Sequence, residues 1–383
     1  MREIKFPDYN HSILNTITSV LKYYNVETNH NSLDILDNKL NSKKYQNIVF
    51  IILDGLGEHI LKSISSNGFF VQNELDCVTS VFPSTTTAAL TTYYSGKPPY
   101  ETGWIAWSQY FKEYGRAVDM LSHKESYTGE SLKDTTLDVF KAIVNYETVF
   151  EKIEIASPNV KAYEIMPSYS DRKSKRTLKA DTVDELVEAI ELLCENPHDK
   201  FIMAYCDNPD GILHKFGTDS LEAKDFVLTA ESAIQQMCNN FSDDTLVIIS
   251  ADHGHLNIEN PHSILDFPEL LECLYMPVSL ESRVVTFWVK DAMKQIFEER
   301  FNNLLKDEFM LLTKDEFLNQ KHLLGYGKIH PKVNEFLGDY VAISVSNSIL
   351  NIENYLTEKK KLKKSTHCGL TKEEMEVPLI VIG

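Results

Sequence analysis

The stretch Asn47-Ile-Val-Phe-Ile-Ile-Leu53 runs directly into Asp54-Gly55, and its reading decides the fold. Seven residues rich in β-branched side chains, with no polar alternation, predict a strand buried on both faces. A second run of the same kind, Thr245-Leu-Val-Ile-Ile-Ser250, ends in Ala251-Asp252-His253-Gly254. Phe201–Tyr205 and Val377–Ile382 add two further strand candidates. Helical spacing separates them: Ile13, Ile17, Val20 and Leu21 near the start, then residues 58–66, Thr86–Tyr94, Asp181–Glu195 and Ser220–Asn239. Apolar strands alternating with helices predict an α/β fold, a mostly parallel central sheet with helices on both faces. In such sheets ligands bind beyond the carboxyl ends of the strands, where Asp54 and Asp252 stand.

The chain has 383 residues and 43% hydrophobic side chains, enough for one large core. We read 1–383 as a single α/β domain with cap-like insertions at about 105–180 and 260–360, where periodicity is weak. The formal charge is −18, from 38 basic and 56 acidic residues. That excess repels polyanions, which argues against nucleic acid polymers and anionic membrane surfaces as partners. The six cysteines, Cys77, Cys194, Cys206, Cys238, Cys273 and Cys368, have no paired spacing. Met1–Tyr9 has charges and a proline and reads as no signal peptide, and no apolar run reaches spanning length. The expectation is a cytoplasmic protein.

Five segments carry side chains suited to chemistry. They are Leu53–Gly55, Phe82–Thr87, Asp210–His214, Ala251–Gly254 and Thr366–Gly369. Each alone has an ordinary reading: a turn aspartate, a helix cap, a chance Asp-x-x-x-His in a constrained loop beside Pro209 and Gly211, a strand-end turn eased by Gly254, a surface histidine. Together they supply Asp54, Asp210, Asp252, His214, His253, His367 and the hydroxyl run Ser84–Thr87. Three carboxylates against two divalent ions leave a net charge of about one positive, which attracts phosphate; without ions the cluster repels it. A hydroxyl at a helix N-terminus beside a cation is a candidate nucleophile.

The order of these five motifs resembles the alkaline phosphatase superfamily, and within it the type I phosphodiesterase/nucleotide pyrophosphatase group. The resemblance spans about Asn47 to the C-terminus. It implies two zinc ions, with manganese as the alternative, and a covalent phospho-threonine intermediate. One ion would be held by Asp54, Asp252, His253 and the nucleophile, the other by Asp210, His214 and His367. The family's nucleophile lies three residues after the motif proline and ten before a glycine that ends the helix. Pro83 and Gly96 give Thr86 on both counts, ahead of Thr85 and Thr87.

Two departures bear on specificity. Thr87-Ala-Ala-Leu90 follows Thr86 where the group has Phe-Pro-Asn-His, and Trp107 stands where the group has an asparagine that contacts the transferred phosphoryl oxygen. Trp104 and Trp107 are candidates for stacking on a flat leaving group. The expected function is a metal-dependent phosphoric ester hydrolase acting on a small phosphorylated substrate. A monoesterase or phosphomutase on the same core is the alternative enzyme, and a silent metal-binding protein the alternative of another class. Oligomeric state is not set by the sequence. The basic runs Arg172–Lys179 and Lys359–Lys364 read as solvated, although the first, folded over the site, would add charge there.

Overall fold

The computed structural model describes residues 2–133, 139, 144–170, 174–351 and 363–383. Seven strands form the central sheet: β1 (Asn47–Leu53), β2 (Glu74–Thr79), β3 (Lys161–Met166), β4 (Thr177–Lys179), β5 (Lys200–Cys206), β6 (Thr245–Ser250) and β7 (Glu376–Ile382). Their order is β2-β7-β6-β1-β5-β3-β4. β1 lies in parallel register between β5 and β6, with Asn47 opposite both Lys200 and Thr245. Every residue of β1, β5 and β6 is buried, so both faces of the sheet centre are covered. Only β7 runs against the others, pairing antiparallel with β6 and β2.

Two groups of helices cover the sheet. α1 (Ile13–Tyr23), α2 (Thr86–Ser95) and α3 (Val149–Ala156) pack on one another. α4 (Val183–Cys194) packs on α5 (Leu221–Asn240). Ile13, Ile17, Val20 and Leu21, the apolar stripe of α1, are all buried. Glycine in left-handed geometry ends α2, Gly96 having a φ of +66°. Among the described residues no helix is long and apolar enough to cross a membrane.

The two stretches of weak periodicity meet in one sheet. Strands from 108–125 and from 279–344 form a second seven-stranded sheet, antiparallel at every pairing. It has its own apolar clusters, one around Phe82, Trp104, Phe111 and Phe336, another around Phe287, Phe297 and Phe301. The first insertion is shorter than the sequence suggests. Residues from Val149 return to the main body, and β3 and β4 are strands of the central sheet. Both lie toward the sheet edge, and their partly exposed Lys161, Tyr163 and Thr177 hid the apolar pattern. Of the basic run 172–179, Arg172 and Lys173 lie outside the described residues, Arg176 pairs with Glu154, and the Lys179 ammonium donates to the Pro167 and Ser170 carbonyls.

One buried ion pair ties the second sheet to the first. Arg283 and Glu374 are both fully buried, with Nε 2.6 Å from Oε1 and Nη2 2.8 Å from Oε2. Arg283 also donates to the Ser346 and Ser348 carbonyls, and Glu374 accepts from Gly369 N and the Thr371 hydroxyl. Every charged oxygen and most of the guanidinium protons therefore have partners, the condition under which a buried pair is tolerated. Arg283→Ala is expected to cost about 3–5 kcal/mol, because it leaves Glu374 buried and unpaired. Urea unfolding monitored by fluorescence measures this; a loss below about 1 kcal/mol would contradict it.

Candidate active site

The site lies at the carboxyl ends of β1, β5 and β6. The strand register brings Leu53 beside Cys206 and Ile52 beside Ser250, so the residues that follow, Asp54 and Asp252, emerge together. Asp54 N donates to the Cys206 carbonyl, and Gly55 N donates to Asp252 Oδ1 at 3.0 Å. Gly55 has a φ of +76°, and a Cβ there would press on His255 and Asp210. Gly254 is required for a different reason from the backbone turn expected. A Cβ at Gly254 would collide with the Glu373 carbonyl, so close packing excludes a side chain.

The first group of donors is Asp54, Asp252 and His253, all buried. His253 Nε2 stands 3.4 Å from Asp54 Oδ1, 3.3 Å from Asp252 Oδ2 and 3.2 Å from Thr86 Oγ1. Asp54 Oδ1 and Asp252 Oδ2 are buried and accept no hydrogen bond. Their other oxygens are engaged: Asp54 Oδ2 by the Tyr205 hydroxyl, Asp252 Oδ1 by Gly55 N and His253 N. Burial first, then the negative charge of Asp252 and Asp210, pushes the Asp54 carboxyl well above the usual range. Two orphaned carboxylate oxygens facing an imidazole nitrogen and a hydroxyl form a donor set that a divalent cation fits.

The hydroxyl run is sorted by its contacts. Ser84 Oγ donates to the Gly369 carbonyl, and Thr85 Oγ1 donates to Glu281 at 3.0 Å. Thr87 Oγ1 is buried with no partner. Thr86, the first residue of α2, is the one whose hydroxyl meets His253. Its backbone N–H is among those at the helix start that no helical carbonyl satisfies, a ready anion contact.

The second group centres on Asp210. Asp210 and His214 lie one turn apart on a short helix, Asp210–Phe216, where the sequence suggested a constrained loop. Pro209 precedes the helix as its N-cap residue, where no intrahelical N–H is needed, so it starts the helix rather than breaking it. Asp210 Oδ1 faces three imidazoles: His255 Nε2 at 2.7 Å, His214 Nε2 at 3.3 Å and His367 Nε2 at 3.6 Å. The rings of His253 and His367 stack with centroids 3.8 Å apart and join the two groups. Burial pushes His214 down to about 3, and pushes His255 and His367 down as well, which favours the neutral form of these rings. Cys368 Sγ sits on the Nδ1 side of His367, and burial raises its thiol well above the usual value, which disfavours a thiolate ligand.

The structure thus brings together all seven residues expected at the site. It separates the two tryptophans. Trp104 is buried in the second sheet's core, its indole N–H on the Val144 carbonyl. Trp107 is 39% exposed, and its backbone N–H shares the Glu281 carboxylate with Thr85. Four residues escaped the sequence reading. His255 follows His253 by two, a visible spacing in Asp-His-Gly-His. Tyr205 is a polar ring in an otherwise apolar buried strand, close to its carboxyl end. Glu281, on the turn between two strands of the second sheet, had no local signal. Lys363, from the end of the second basic run, lies with Nζ 2.9 Å from His214 Nε2; residues 359–362 of that run are outside the described residues.

Known proteins share this fold. Murine ectonucleotide pyrophosphatase/phosphodiesterase 5 superposes with a TM-score of 0.61 at 16% identity, covering 87% of each chain. Phosphonoacetate hydrolase from Sinorhizobium meliloti 1021, in complex with phosphonoacetate, gives 0.62 at 14% identity, covering 87% of this chain and 89% of that one. Identities this low establish the shared α/β fold. No curated protein sequence matches the chain. The profile of the type I phosphodiesterase/nucleotide pyrophosphatase family matches residues 48–361, which include six of the seven residues expected at the site, His367 lying beyond it. The chain therefore belongs to the type I phosphodiesterase/nucleotide pyrophosphatase family, a hydrolase of phosphoric ester or phosphoanhydride bonds.

Proposed function

We propose that this protein cleaves small phosphoric diesters or pyrophosphates with Thr86 as nucleophile, in a site that holds two divalent ions. The observation that carries this reading is the meeting of Thr86 Oγ1, His253 Nε2 and the orphaned oxygens of Asp54 and Asp252. Asp54, Asp252 and His253 would hold one ion beside Thr86; Asp210, His214 and His367 would hold the other. When bound, the ions supply Lewis-acid charge that favours the alkoxide form of a hydroxyl and offsets negative charge on the reacting oxygens. Thr86 Oγ1 forms a bond to phosphorus as the ester oxygen departs in line, and water then displaces Thr86 from the phosphothreonine. The Thr86 backbone N–H at the start of α2 contacts a non-bridging oxygen. The Tyr205 hydroxyl holds Asp54 in place.

Zinc suits the mixed carboxylate and imidazole donors best, with manganese the alternative. An inactive variant of the murine relative is known in complex with AMP, and the bacterial relative is named for phosphonoacetate; both ligands support a small phosphorylated substrate here. None of the six cysteines is bonded to another, which supports a reducing, cytoplasmic setting.

Elemental analysis of the purified protein is expected to find close to two divalent ions per chain. Chelation should abolish turnover and zinc should restore it better than magnesium. Full turnover by a metal-free preparation would contradict this.

Thr86→Ala is expected to lower kcat on the order of a thousandfold or more while the fold and most of the metal remain. Thr85→Ala, which loses only its bond to Glu281, and Thr87→Ala should be far milder. Steady-state kinetics on the three variants decides; a dead Thr85→Ala beside an active Thr86→Ala would move the nucleophile by one residue.

A monoester dianion needs more cationic contacts than a diester. Between Val71 and Tyr110 the only basic residue is Lys97, and Arg176 is taken up by Glu154. An aryl phosphodiester should therefore react with higher kcat/KM than the matching monoester. A strong monoester preference that disappears in Lys363→Gln would overturn the diesterase reading and favour the phosphatase.

A further inference from the structure

His255 is fully buried, and its Nε2 lies 2.7 Å from Asp210 Oδ1. An Asp–His hydrogen bond would explain that distance if Nε2 carried the proton. The proton count around the ring argues otherwise. His255 Nδ1 is 3.2 Å from Ser365 Oγ, and the Ser365 hydroxyl is 2.6 Å from the Leu213 carbonyl, an acceptor only. Ser365 has one hydroxyl proton, and Leu213 takes it. Ser365 Oγ can then only accept from His255, so the ring proton is on Nδ1. Nε2 of the neutral ring is left with a lone pair aimed at a carboxylate oxygen. The two repel unless a cation joins them.

The neighbouring rings give the same result. His214 Nδ1 is 2.7 Å from the Ser365 carbonyl, and His367 Nδ1 is 3.0 Å from the Ser84 carbonyl. Both must donate from Nδ1; His367 then presents a bare Nε2 toward Asp210, while His214 Nε2 faces Asp210 with the Lys363 ammonium 2.9 Å away. Three imidazole Nε2 atoms and one carboxylate oxygen thus converge, each ring fixed by a hydrogen bond on its far side, with Lys363 the competitor that an ion would displace from His214. Ser365 alone fixes two of them, through its carbonyl and its hydroxyl.

We propose that His255 is a fourth protein ligand of the ion on the Asp210 side, so that this centre holds one carboxylate and three imidazoles. The proposal rests on the two-ion reading above and deepens it. The two centres are then unequal. The centre beside Thr86 has two carboxylates, one imidazole and a hydroxyl. The Asp210 centre has four donors from the protein with no help from the reacting hydroxyl, enough to hold zinc firmly while a fifth, substrate oxygen can still join. Its ion is the permanent one, and the ion beside Thr86 is the exchangeable one.

Graded dialysis against a chelator, with elemental analysis at each step, tests this without recourse to activity. The wild type should lose its two ions in separate steps, leaving a one-ion form. In that form, loaded with cobalt, the visible spectrum should have the intensity of a four-coordinate centre. In His255→Gln the firm ion should leave at chelator concentrations at least about tenfold lower, near those that remove the other ion, and the cobalt bands should weaken. Ser365→Ala keeps every ligand but loses the acceptor for His255 Nδ1; it should weaken the same ion by about tenfold. Circular dichroism of the metal-free variants checks their fold, and Ser365→Ala serves as the independent test where His255→Gln is poorly folded. Wild-type affinity and an unchanged cobalt spectrum in both variants would overturn the proposal while leaving the two-ion site intact. A wild type that binds no ion would overturn both.

Discussion

Asp54 and Asp252 stand side by side at the ends of adjacent parallel strands, each with one buried oxygen that nothing in the protein satisfies. Burying two carboxylates together leaves an unmet demand for positive charge, and it shows in the Asp54 carboxyl, which is pushed well above the usual range. Much of the surrounding structure serves to hold that demand in place. Parallel pairing of β1 with β5 and β6 sets where the carboxylates emerge. Tyr205 and the Gly55 amide satisfy the outer oxygens and leave the inner ones free. The Thr86 hydroxyl meets the same point because α2 begins at Thr86.

The second sheet extends this control to segments distant in the chain. His367 follows the residues 352–362 that lie outside the described structure, yet it is held firmly: Ser84 accepts from its Nδ1, and Ser84 donates in turn to Gly369. Glu374 binds Gly369 N and Thr371, while its own backbone carbonyl accepts from Gly254 N. Arg283 reaches Glu374 from the second sheet. The turn that carries Asp252 and His253, the segment that carries His367, and the hairpin that carries Glu281 are thereby fastened to one buried ion pair. Glu281 then touches Thr85, the residue that caps α2.

Much of this was legible in the sequence because its signals are local. Unbroken apolar runs mark β1 and β6 and end in Asp54 and Asp252, so pattern and chemistry coincide there. The spacing of Thr86 from Pro83 and Gly96 selected one hydroxyl from four, and it is the one that meets His253. β3 and β4, the last two strands on one side of the sheet, were hidden because their partly exposed positions carry polar residues. Glu281 and the Arg283–Glu374 pair were hidden because they are contacts across long stretches of sequence, which no local pattern encodes. Trp104 and Trp107 looked alike as sequence; tertiary packing buries one in a core and leaves the other beside Thr85. His255 was legible in principle, two residues beyond His253, but only the fold shows that Asp210 awaits it.

The central claim is that two ions gather at these strand ends and that Thr86 is the atom they serve. A crystal structure of the metal-loaded protein soaked with vanadate tests it most directly. The account predicts two anomalous peaks, one among Asp54, Asp252 and His253 and one among Asp210, His214, His255 and His367, with vanadium bonded to Thr86 Oγ1 between them. A single metal peak, or vanadium bonded to any other residue, would contradict it.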